Sequence, residues 1–370
     1  MTIYEYIMKG ADTVQTAYCV KGLKMSIADN ISFFSDLNGV SGNEHRVAEE
    51  IKKLFAQYCD EVYTDPLGSV IGVKKSKAPQ GKVMIEAHID EVGLIVSEVG
   101  EDGFVYFHDV SGVDVRTLLA QEVVIHGRED VFGVIGAKPP HIQKGDEKDK
   151  PVDFDHLYID TGYTTDELKK RVRVGDIATI KNRTIRMLGT QMSSKAQDDR
   201  AGVAAIIDAL HQLKDVELPF DLYVAACVQE EVGLRGGGCA AYSINPDFAI
   251  AIDVTQGKTP DGSGAIFPLG EGIVVAKGPN IHPTLLKALL KYMDETEKKY
   301  HINIHNERTG TDAAAIQIAN NGIPVLLLSI PQKYMHTCIE TLDVTDVQLV
   351  ADTIAGFLKS VEKVGDVVCY

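Results

Sequence analysis

Histidine and acidic residues follow several short apolar runs of this 370-residue chain, in a pattern that suits metal binding. His88 and Asp90 come directly after the apolar run 83–87, and residues at i and i+2 of a strand point to the same side. The imidazole could therefore ligate a cation while the Asp90 carboxylate orients the ring. A motif this short, taken alone, is more often an ion pair at the end of a strand.

Two pairs of adjacent carboxylates lie further along the chain. Asp198 and Asp199 open a predicted helix, where carboxylates are commonly only caps but can also bridge two cations. Glu230 and Glu231 follow the apolar run 222–228, at the carboxyl end of a predicted strand, where open α/β sheets bind ligands. One glutamate can ligate a metal while its neighbour transfers protons, although a solvated charge pair in a loop is the alternative.

Two single residues complete the pattern. Asp253 ends the apolar run 248–252, and a buried carboxylate there needs a metal, an arginine or a helix cap as its partner. His336 follows the apolar run 323–328 and, in isolation, is most simply a satisfied or surface histidine. Two histidines and three carboxylates together form a ligand set for two divalent ions, and these ligand types suit zinc, cobalt or manganese.

Hydrophobic periodicity predicts the elements that position these residues. Helical spacing begins at Ser26 and ends near Asn38, and a second helix should follow with Ser41 or Asn43 as its cap. Further helices are predicted at 201–213, 283–300 and 344–361. The apolar runs read as strands buried on both faces, at 69–73, 83–87, 222–228, 248–252 and 323–328. The predicted fold is α/β, with a central, mainly parallel mixed sheet covered by helices on both faces.

The sequence pattern changes between residues 94 and 188. Short segments with alternating apolar and polar residues, typical of strands, are separated there by clusters of turn residues. These strands, at 103–108, 122–126, 131–135 and 176–180, predict a small, inserted β domain resembling a barrel. The predicted domains are an N-terminal extension (1–24), a catalytic domain in two parts (25–93 and 189–370), and the insert (94–188). The charged stretch Lys144–Lys150 is expected to be a loop.

Composition limits the partners and the compartment. The net charge of −16 argues against nucleic acids and anionic membranes, since both reward clustered Lys and Arg. No apolar run of membrane-spanning length and no signal-peptide pattern occur. These two observations predict a cytoplasmic location, in which the six cysteines, without a CxxC pair, read as reduced thiols and not as a disulfide framework.

The chain resembles the tetrahedral (TET-type) aminopeptidases of metallopeptidase clan MH. This family includes glutamyl, leucyl, lysyl and deblocking aminopeptidases, and some members carry the name endoglucanase. The resemblance rests on eight stretches in the family's order: AHIDEVGLIV (87–96), GAKPPH (136–141), AQDDRAG (196–202), VQEEVGLRG (228–236), IDVT (252–255), GPNIHP (278–283), GTDAAAI (310–316) and YMHTCIE (334–340). Gln197 and Asp199 depart from it, because many relatives have an apolar residue and an asparagine there.

The resemblance implies an aminopeptidase that removes N-terminal residues from short peptides with two divalent ions, zinc or cobalt before manganese. His88, Asp198 and Asp253 would hold one ion. Asp198, Glu231 and His336 would hold the other, so that Asp198 bridges the two.

The resemblance also implies roles for residues around the ions. Glu230 would be the general base, and Asp90 would orient His88. Gly310, Thr311 and Asp312 would lie beside the substrate. The insert would mediate dimers, and the dimers would assemble into a homo-oligomer, a dodecamer.

Other functions remain open from the residues alone. The same metal core serves amidohydrolases that act on N-acylated amino acids, which blocked N-termini would distinguish. A glycosidase usually needs two opposed carboxylates and no metal, so the histidines disfavour it. A metal-stabilised scaffold needs no carboxylate beside a ligand, so the Glu230–Glu231 pair favours catalysis. Arg308 could favour acidic substrate side chains or be a surface arginine.

Overall fold

A computed structural model describes residues 25–143, 145, 151–260, 262 and 264–369. The predicted extension 1–24 and all but Gly145 of the predicted loop Lys144–Lys150 lie outside the described residues. The described chain forms a mixed 11-stranded sheet and a separate closed barrel of six strands. Its helices are α1 (Ile27–Asp36), α2 (His45–Phe55), α3 (Thr165–Arg171), α4 (Gln197–Gln212), α5 (Arg235–Ile244), α6 (Pro283–Glu295), α7 (Asp312–Gln317), α8 (Val344–Ser360) and α9 (Val364–Val368).

The strands divide between the two bodies. The barrel contains β4 to β9, and the large sheet contains all the others. In chain order they are β1 (Glu61–Thr64), β2 (Val70–Lys74), β3 (Lys82–His88), β4 (Gly93–Val99), β5 (Phe104–Val110), β6 (Glu122–His126), β7 (Asp130–Ala137), β8 (Leu157–Asp160), β9 (Ile177–Ile180), β10 (Ile185–Arg186), β11 (Gln191–Ser194), β12 (Asp221–Cys227), β13 (Phe248–Gln256), β14 (Ile273–Lys277), β15 (Tyr300–Ile304), β16 (Val325–Lys333) and β17 (Glu340–Asp343).

The centre of the large sheet is parallel, as the apolar runs predict. Strands β12, β3, β13 and β16 lie side by side in that order, and each neighbouring pair is parallel. Antiparallel pairs with β2 and β17 extend this centre on either side. Every residue of β3 from Val83 to His88 is buried, which requires cover on both faces of the sheet. Helix α4 packs against β3 and β13, whereas α5 packs against β12 and β3.

Strand direction gathers the predicted site residues at one edge. His88 ends β3 opposite Cys227, the last residue of β12, so Glu230 and Glu231 follow at the same level. Asp253 lies near the carboxyl end of the adjacent strand β13, opposite Ser329 of β16. Because the strands are parallel, their carboxyl ends meet where the sheet can hold a ligand.

The barrel closes in the strand order β4-β5-β8-β7-β6-β9 and has its own apolar core. Leu94, Val105, Val123, Ile125 and Ile159 are completely buried within it. Closure leaves no free edge among its six strands, which removes a template for uncontrolled pairing. The alternating strands predicted at 103–108, 122–126, 131–135 and 176–180 correspond to β5, β6, β7 and β9.

One predicted helix cap and one predicted helix end were wrong. Helix α2 begins after Glu44 with no side-chain cap, because the Ser41 hydroxyl donates instead to Asp90 at 2.6 Å. The helix predicted over 283–300 ends at Glu295. Glu297 has a left-handed φ of 53°, which ends the helical path, and Tyr300 then starts β15 beside β14.

Helix α5 was not predicted, since its glycine run carries no apolar periodicity. A side chain on Gly236 would lie 2.2 Å from the Val228 carbonyl oxygen, and one on Gly237 would lie 2.5 Å from the Asp312 carboxylate. The glycines therefore let the start of α5 pack directly against the end of β12 and against α7.

Candidate metal centre

The first group of predicted ligands, His88, Asp198 and Asp253, is buried and closely spaced. One potential ligand atom from each residue lies within 4.8 Å of the others. The His88 Nε2 atom lies 3.1 Å from Asp198 Oδ1. Strand ends β3 and β13 supply the first and third residues, and the start of α4 supplies the second.

The second group, Asp198, Glu231 and His336, meets the same distance condition. His336 Nε2 lies 3.3 Å from Glu231 Oε2 and 3.6 Å from Asp198 Oδ2. One oxygen of Asp198 therefore faces His88 and the other faces His336. A carboxylate with this orientation can bridge two cations.

Asp90 is completely buried behind His88 and is held at both oxygens. Its Oδ1 accepts the Glu230 N–H at 3.0 Å, and its Oδ2 accepts the Glu231 N–H at 3.1 Å. His88 Nδ1 lies 3.2 Å from the Asp90 carbonyl oxygen and 3.5 Å from Oδ1. Asp90 therefore holds both His88 and the backbone of Glu230 and Glu231, whereas the sequence predicted only the contact with His88.

Glu340 is a buried residue that sequence reasoning missed. Its Oε2 accepts the Asp198 N–H at 3.1 Å, and its Oε1 accepts the His336 N–H at 3.0 Å. It therefore connects two residues that are far apart in sequence. The glutamate ends the stretch YMHTCIE, and an acidic residue four positions after a candidate ligand was the available signal.

The barrel also reaches this centre through the loop after β5. The Ser111 hydroxyl donates to the Glu231 carbonyl oxygen and lies 3.3 Å from its Oε2. The Asp114 N–H donates to the His336 carbonyl oxygen at 3.2 Å. Nothing in the sequence around residue 111 predicts these contacts, because they depend on how barrel and sheet meet.

A buried network of ion pairs supports the chain segments that carry the proposed ligands. Glu91 lies 2.7 Å from Lys195 Nζ and 3.1 Å from Arg200 Nη2. The fully buried Arg200 also donates to the carbonyl oxygens of Phe34 at 2.7 Å and Ile89 at 3.1 Å. These hydrogen bonds tie α1 and the residue after His88 to the first turn of α4, which carries Asp198.

Several non-glycine residues next to the site have left-handed φ values. They are Ala196 at 54°, Gln229 at 58°, Leu234 at 58° and His336 at 61°. Each such residue costs about 1–2 kcal/mol relative to right-handed backbone. Strain of this kind concentrates at functional sites, where the surrounding structure enforces it.

The acidic groups raise one another's pKa because they are buried together. Burial, reinforced by the Asp198 carboxylate, raises the pKa of Asp253 to about 8. Burial and the nearby Asp253 raise the pKa of Glu230 to about 10. Burial lowers the pKa of His88, but its hydrogen bonds with Asp198 and Asp90 outweigh that effect and leave it well above the ordinary value.

A cavity of about 520 Å³ opens onto both ligand groups. Its lining includes Glu230, Gly310 and Thr311, three of the residues that the resemblance assigns to catalysis and substrate. Asp312 instead lies buried beneath the lining, where its Oδ2 accepts the Gly237 N–H at 3.1 Å.

Asp312 belongs to a third buried group, with Glu86 and Cys227, whose potential ligand atoms lie within 4.8 Å of one another. Burial and the Asp312 carboxylate raise the pKa of Glu86 well above its ordinary value. Its signal in the sequence was one glutamate inside the apolar run 83–87.

Histidine and carboxylate groups that converge at the carboxyl edge of a parallel sheet, together with an inserted barrel, are typical of a metallohydrolase. Residues 68–352 match the M42 glutamyl aminopeptidase family, and the chain belongs to that family. It is therefore a metallopeptidase that acts as an aminopeptidase. Among the described residues, the helices are too short or too polar to cross a membrane.

Relatives with known names or structures agree with this assignment. The chain is 38% identical to the lysyl aminopeptidase of Pyrococcus furiosus over 320 residues, which cover 84% of this chain and 90% of the relative. The structure of aminopeptidase APDkam598 from Desulfurococcus kamchatkensis has a TM-score of 0.83 and 33% identity, with 90% of this chain and 94% of that chain covered. The TET1 peptidase of Pyrococcus horikoshii, described as assembling into a tetrahedron or a large octahedral shell, has a TM-score of 0.79 and 30% identity, with 90% and 99% covered.

Proposed function

We propose that this aminopeptidase uses two divalent ions, with His88, Asp198 and Asp253 as ligands of one and Asp198, Glu231 and His336 as ligands of the other. The observation that carries the proposal is the orientation of Asp198, whose two oxygens face different histidines. Imidazole and carboxylate ligands fit zinc or cobalt, and manganese is a third candidate.

The chemistry of the donor set supports bound cations. Among the described residues, no Lys or Arg forms an ion pair with Asp198, Glu231 or Asp253. Several buried carboxylates without a lysine or arginine partner are costly, as the raised pKa values of Asp253 and Glu231 reflect. Divalent ions at these two positions would relieve that cost.

Glu230 is the proposed general base. Ions bound at the centre would supply Lewis acidity, which lowers the pKa of a water and polarises the scissile carbonyl. The Glu230 side chain lines the cavity beside both ligand groups, while Asp90 holds its backbone N–H. From this position Glu230 would take the proton of the attacking water and give it to the leaving amine.

Removal of a single N-terminal residue requires the site to recognise a free α-amine. The free α-amine would bind one of the proposed ions or a nearby carboxylate, which would place the first peptide bond beside Glu230. A blocked N-terminus lacks this free amine, so an acetylated peptide would bind poorly.

We further propose a cytoplasmic homo-oligomer, a dodecamer built from dimers, with residues 94–188 as the dimerisation domain between catalytic parts 25–93 and 189–370. Strand β7 of the barrel exposes Phe132 at 60% and Val134 at 49%, and such an apolar strand face suits a contact between copies. The assembly named for the TET1 peptidase agrees with this proposal.

The direct test is the release of free amino acids from short peptides, half of them N-acetylated, with zinc, cobalt or manganese added. Release from free N-termini alone supports the proposal. Release from acetylated peptides would favour the alternative, a metal-dependent amidohydrolase that acts on N-acylated substrates. No release with any metal would contradict both.

A further inference from the structure

One stretch that carries the family resemblance, GPNIHP (278–283), supplies none of the proposed metal ligands. It forms the turn before α6, where the His282 N–H donates to the Val325 carbonyl oxygen of β16 at 3.1 Å. The His282 side chain accepts the Leu285 N–H at 3.3 Å and so caps α6. These contacts hold the turn against the central sheet. They do not involve Asn280, which is buried within the same turn.

Asn280 uses every hydrogen-bonding position of its side chain on one other segment and the helix that continues it. Its Oδ1 accepts the backbone N–H of Thr309, at 3.0 Å, and also the Thr309 hydroxyl. Its Nδ2 donates to the Ala313 carbonyl oxygen at 3.3 Å and to Gln317 Oε1 at 2.9 Å. A side-chain amide can accept two hydrogen bonds and donate two. Asn280 therefore holds both ends of the segment 309–313.

The segment held in this way forms part of the cavity wall. Gly310 and Thr311 line the cavity that opens onto both ligand groups, whereas Thr309 is completely buried. The Thr311 hydroxyl donates to the Thr309 hydroxyl at 3.2 Å. A continuous chain of hydrogen bonds therefore runs from Asn280, which is not itself in the lining, to a residue of the cavity wall.

This part of the wall has no regular secondary structure of its own. Residues 305–311 connect β15 to α7 and belong to no helix or strand. The backbone N–H of Thr309 is therefore satisfied by a side chain, that of Asn280, and not by a strand or helix partner. A binding wall that is already ordered in the free enzyme lowers the cost of ordering it when a substrate binds.

From these contacts we infer that Asn280 is a positioning residue for substrate binding, which keeps the loop 309–311 in the conformation that receives a peptide. All four hydrogen bonds of Asn280 go to residues outside the proposed metal ligands. Its loss should therefore weaken substrate binding and leave the ions in place. This inference rests on the proposed aminopeptidase function and deepens it.

The first test is Asn280→Ala, which removes all four hydrogen bonds. The loop should then populate its binding conformation only part of the time, and the apparent affinity falls with that fraction. For the best substrate of the peptide panel, we expect KM to rise about tenfold, the size of one to two neutral hydrogen bonds. The metal content, measured by elemental analysis of the full-length protein, should equal that of the wild type, and kcat should change much less than KM.

A milder pair of variants tests the same connection if Asn280→Ala does not fold. Thr309→Val keeps the size and the backbone N–H but removes the hydroxyl between Asn280 and Thr311, so KM should rise about two- to fivefold. Thr309→Ser keeps the hydroxyl and should keep the wild-type KM. Thr353→Val is the matched control, because it makes the same change at a completely buried threonine of α8 outside the cavity lining.

The outcomes separate positioning from a general effect on folding. Poor folding lowers the amount of active, metal-loaded enzyme and so lowers the apparent kcat, while the KM of the remaining enzyme stays constant. An unchanged KM in either folded variant, a loss of metal, or an equal rise of KM in Thr353→Val would overturn the inference while the aminopeptidase function stands. If the wild type releases no amino acid with zinc, cobalt or manganese, the proposed function falls and this inference falls with it.

Discussion

The carboxylate of Glu340 accepts the backbone N–H of Asp198 at 3.1 Å, although the two residues are 142 positions apart. Its other oxygen accepts the His336 N–H, so one side chain sets the spacing of two proposed metal ligands. Glu340→Gln replaces one acceptor by an NH₂ group, which would face an N–H donor. We expect metal affinity to fall about 10–100-fold, as for other residues that orient ligands.

A metal titration followed by elemental analysis would measure this loss. Glu362→Gln, an exposed glutamate near the C-terminus, is the control and should bind metal normally. Unchanged affinity in Glu340→Gln would show that the hydrogen bonds do not control the ligand positions.

The role of Glu230 predicts a separation of turnover from metal binding. Glu230→Gln keeps the side-chain volume but removes the proton acceptor, so kcat should fall by about 10²–10⁴-fold. Both ions should stay bound, because Glu230 is not among the proposed ligands. Steady-state kinetics alongside elemental analysis of the same sample check both halves, and normal turnover would refute the assignment.

Removal of either histidine should, unlike Glu230→Gln, reduce metal binding. His88→Ala and His336→Ala each delete one proposed ligand from a different group, so each variant should lose bound metal as well as activity. His211→Ala, on the last turn of α4 and outside the site, serves as the control. Full occupancy in either site variant would contradict the ligand sets.

Arg200 should matter for stability beyond any effect on catalysis. Arg200→Met leaves Glu91 with one buried cationic partner and the Ile89 carbonyl oxygen without its donor. We expect a loss of about 3–5 kcal/mol in the free energy of unfolding. Urea unfolding with a chelator present measures it without a contribution from bound metal.

An exposed ion pair provides the comparison. Lys291 and Glu295 are 3.7 Å apart with side chains 73% and 65% exposed, so Lys291→Ala should cost no more than about 1 kcal/mol. Equal losses in the two variants would show that the buried network carries no special weight.

Thiol reactivity gives a pH-dependent test. Burial raises the pKa of Cys59 from its ordinary value of 9.0 to about 12, so in the folded protein at pH 9 only about a thousandth is the reactive thiolate. Iodoacetamide should therefore modify the exposed Cys239 and Cys369 first. The rate at Cys59 should keep rising above pH 9. Peptide mass spectrometry resolves the sites, and equal rates at Cys59 and Cys239 would contradict the prediction.

The sequence was most informative where burial imposes a pattern. The central parallel strands are largely apolar, so their runs and the polar residues at their ends indicated the fold class and the edge of the sheet that gathers His88 and Asp253. Element ends were harder to predict, because Ser41 serves Asp90 instead of a helix and Glu297 ends a helix that periodicity would have continued.

The supporting residues could not be predicted because their partners are remote in sequence. Glu340, Arg200 and Ser111 each act through hydrogen bonds to segments more than a hundred positions away. Local spacing carries no trace of such contacts. Residue types that can bind a metal are recognisable from the sequence. The residues that hold such ligands in place are identified only when the packing of the chain is known.

The contacts of Ser111 and Asp114 with Glu231 and His336 limit how freely this enzyme can be rebuilt. A shortened protein that joins β3 directly to β11 would retain every proposed ligand, yet two of those ligands would lose hydrogen bonds that only the barrel supplies. In the proposed dimer, the exposed face of strand β7 is the part of the barrel to redesign. Any chimera must therefore keep the loop 111–114 together with the catalytic domain. This loop of the insert contacts two proposed metal ligands, and its Ser111 lines the cavity.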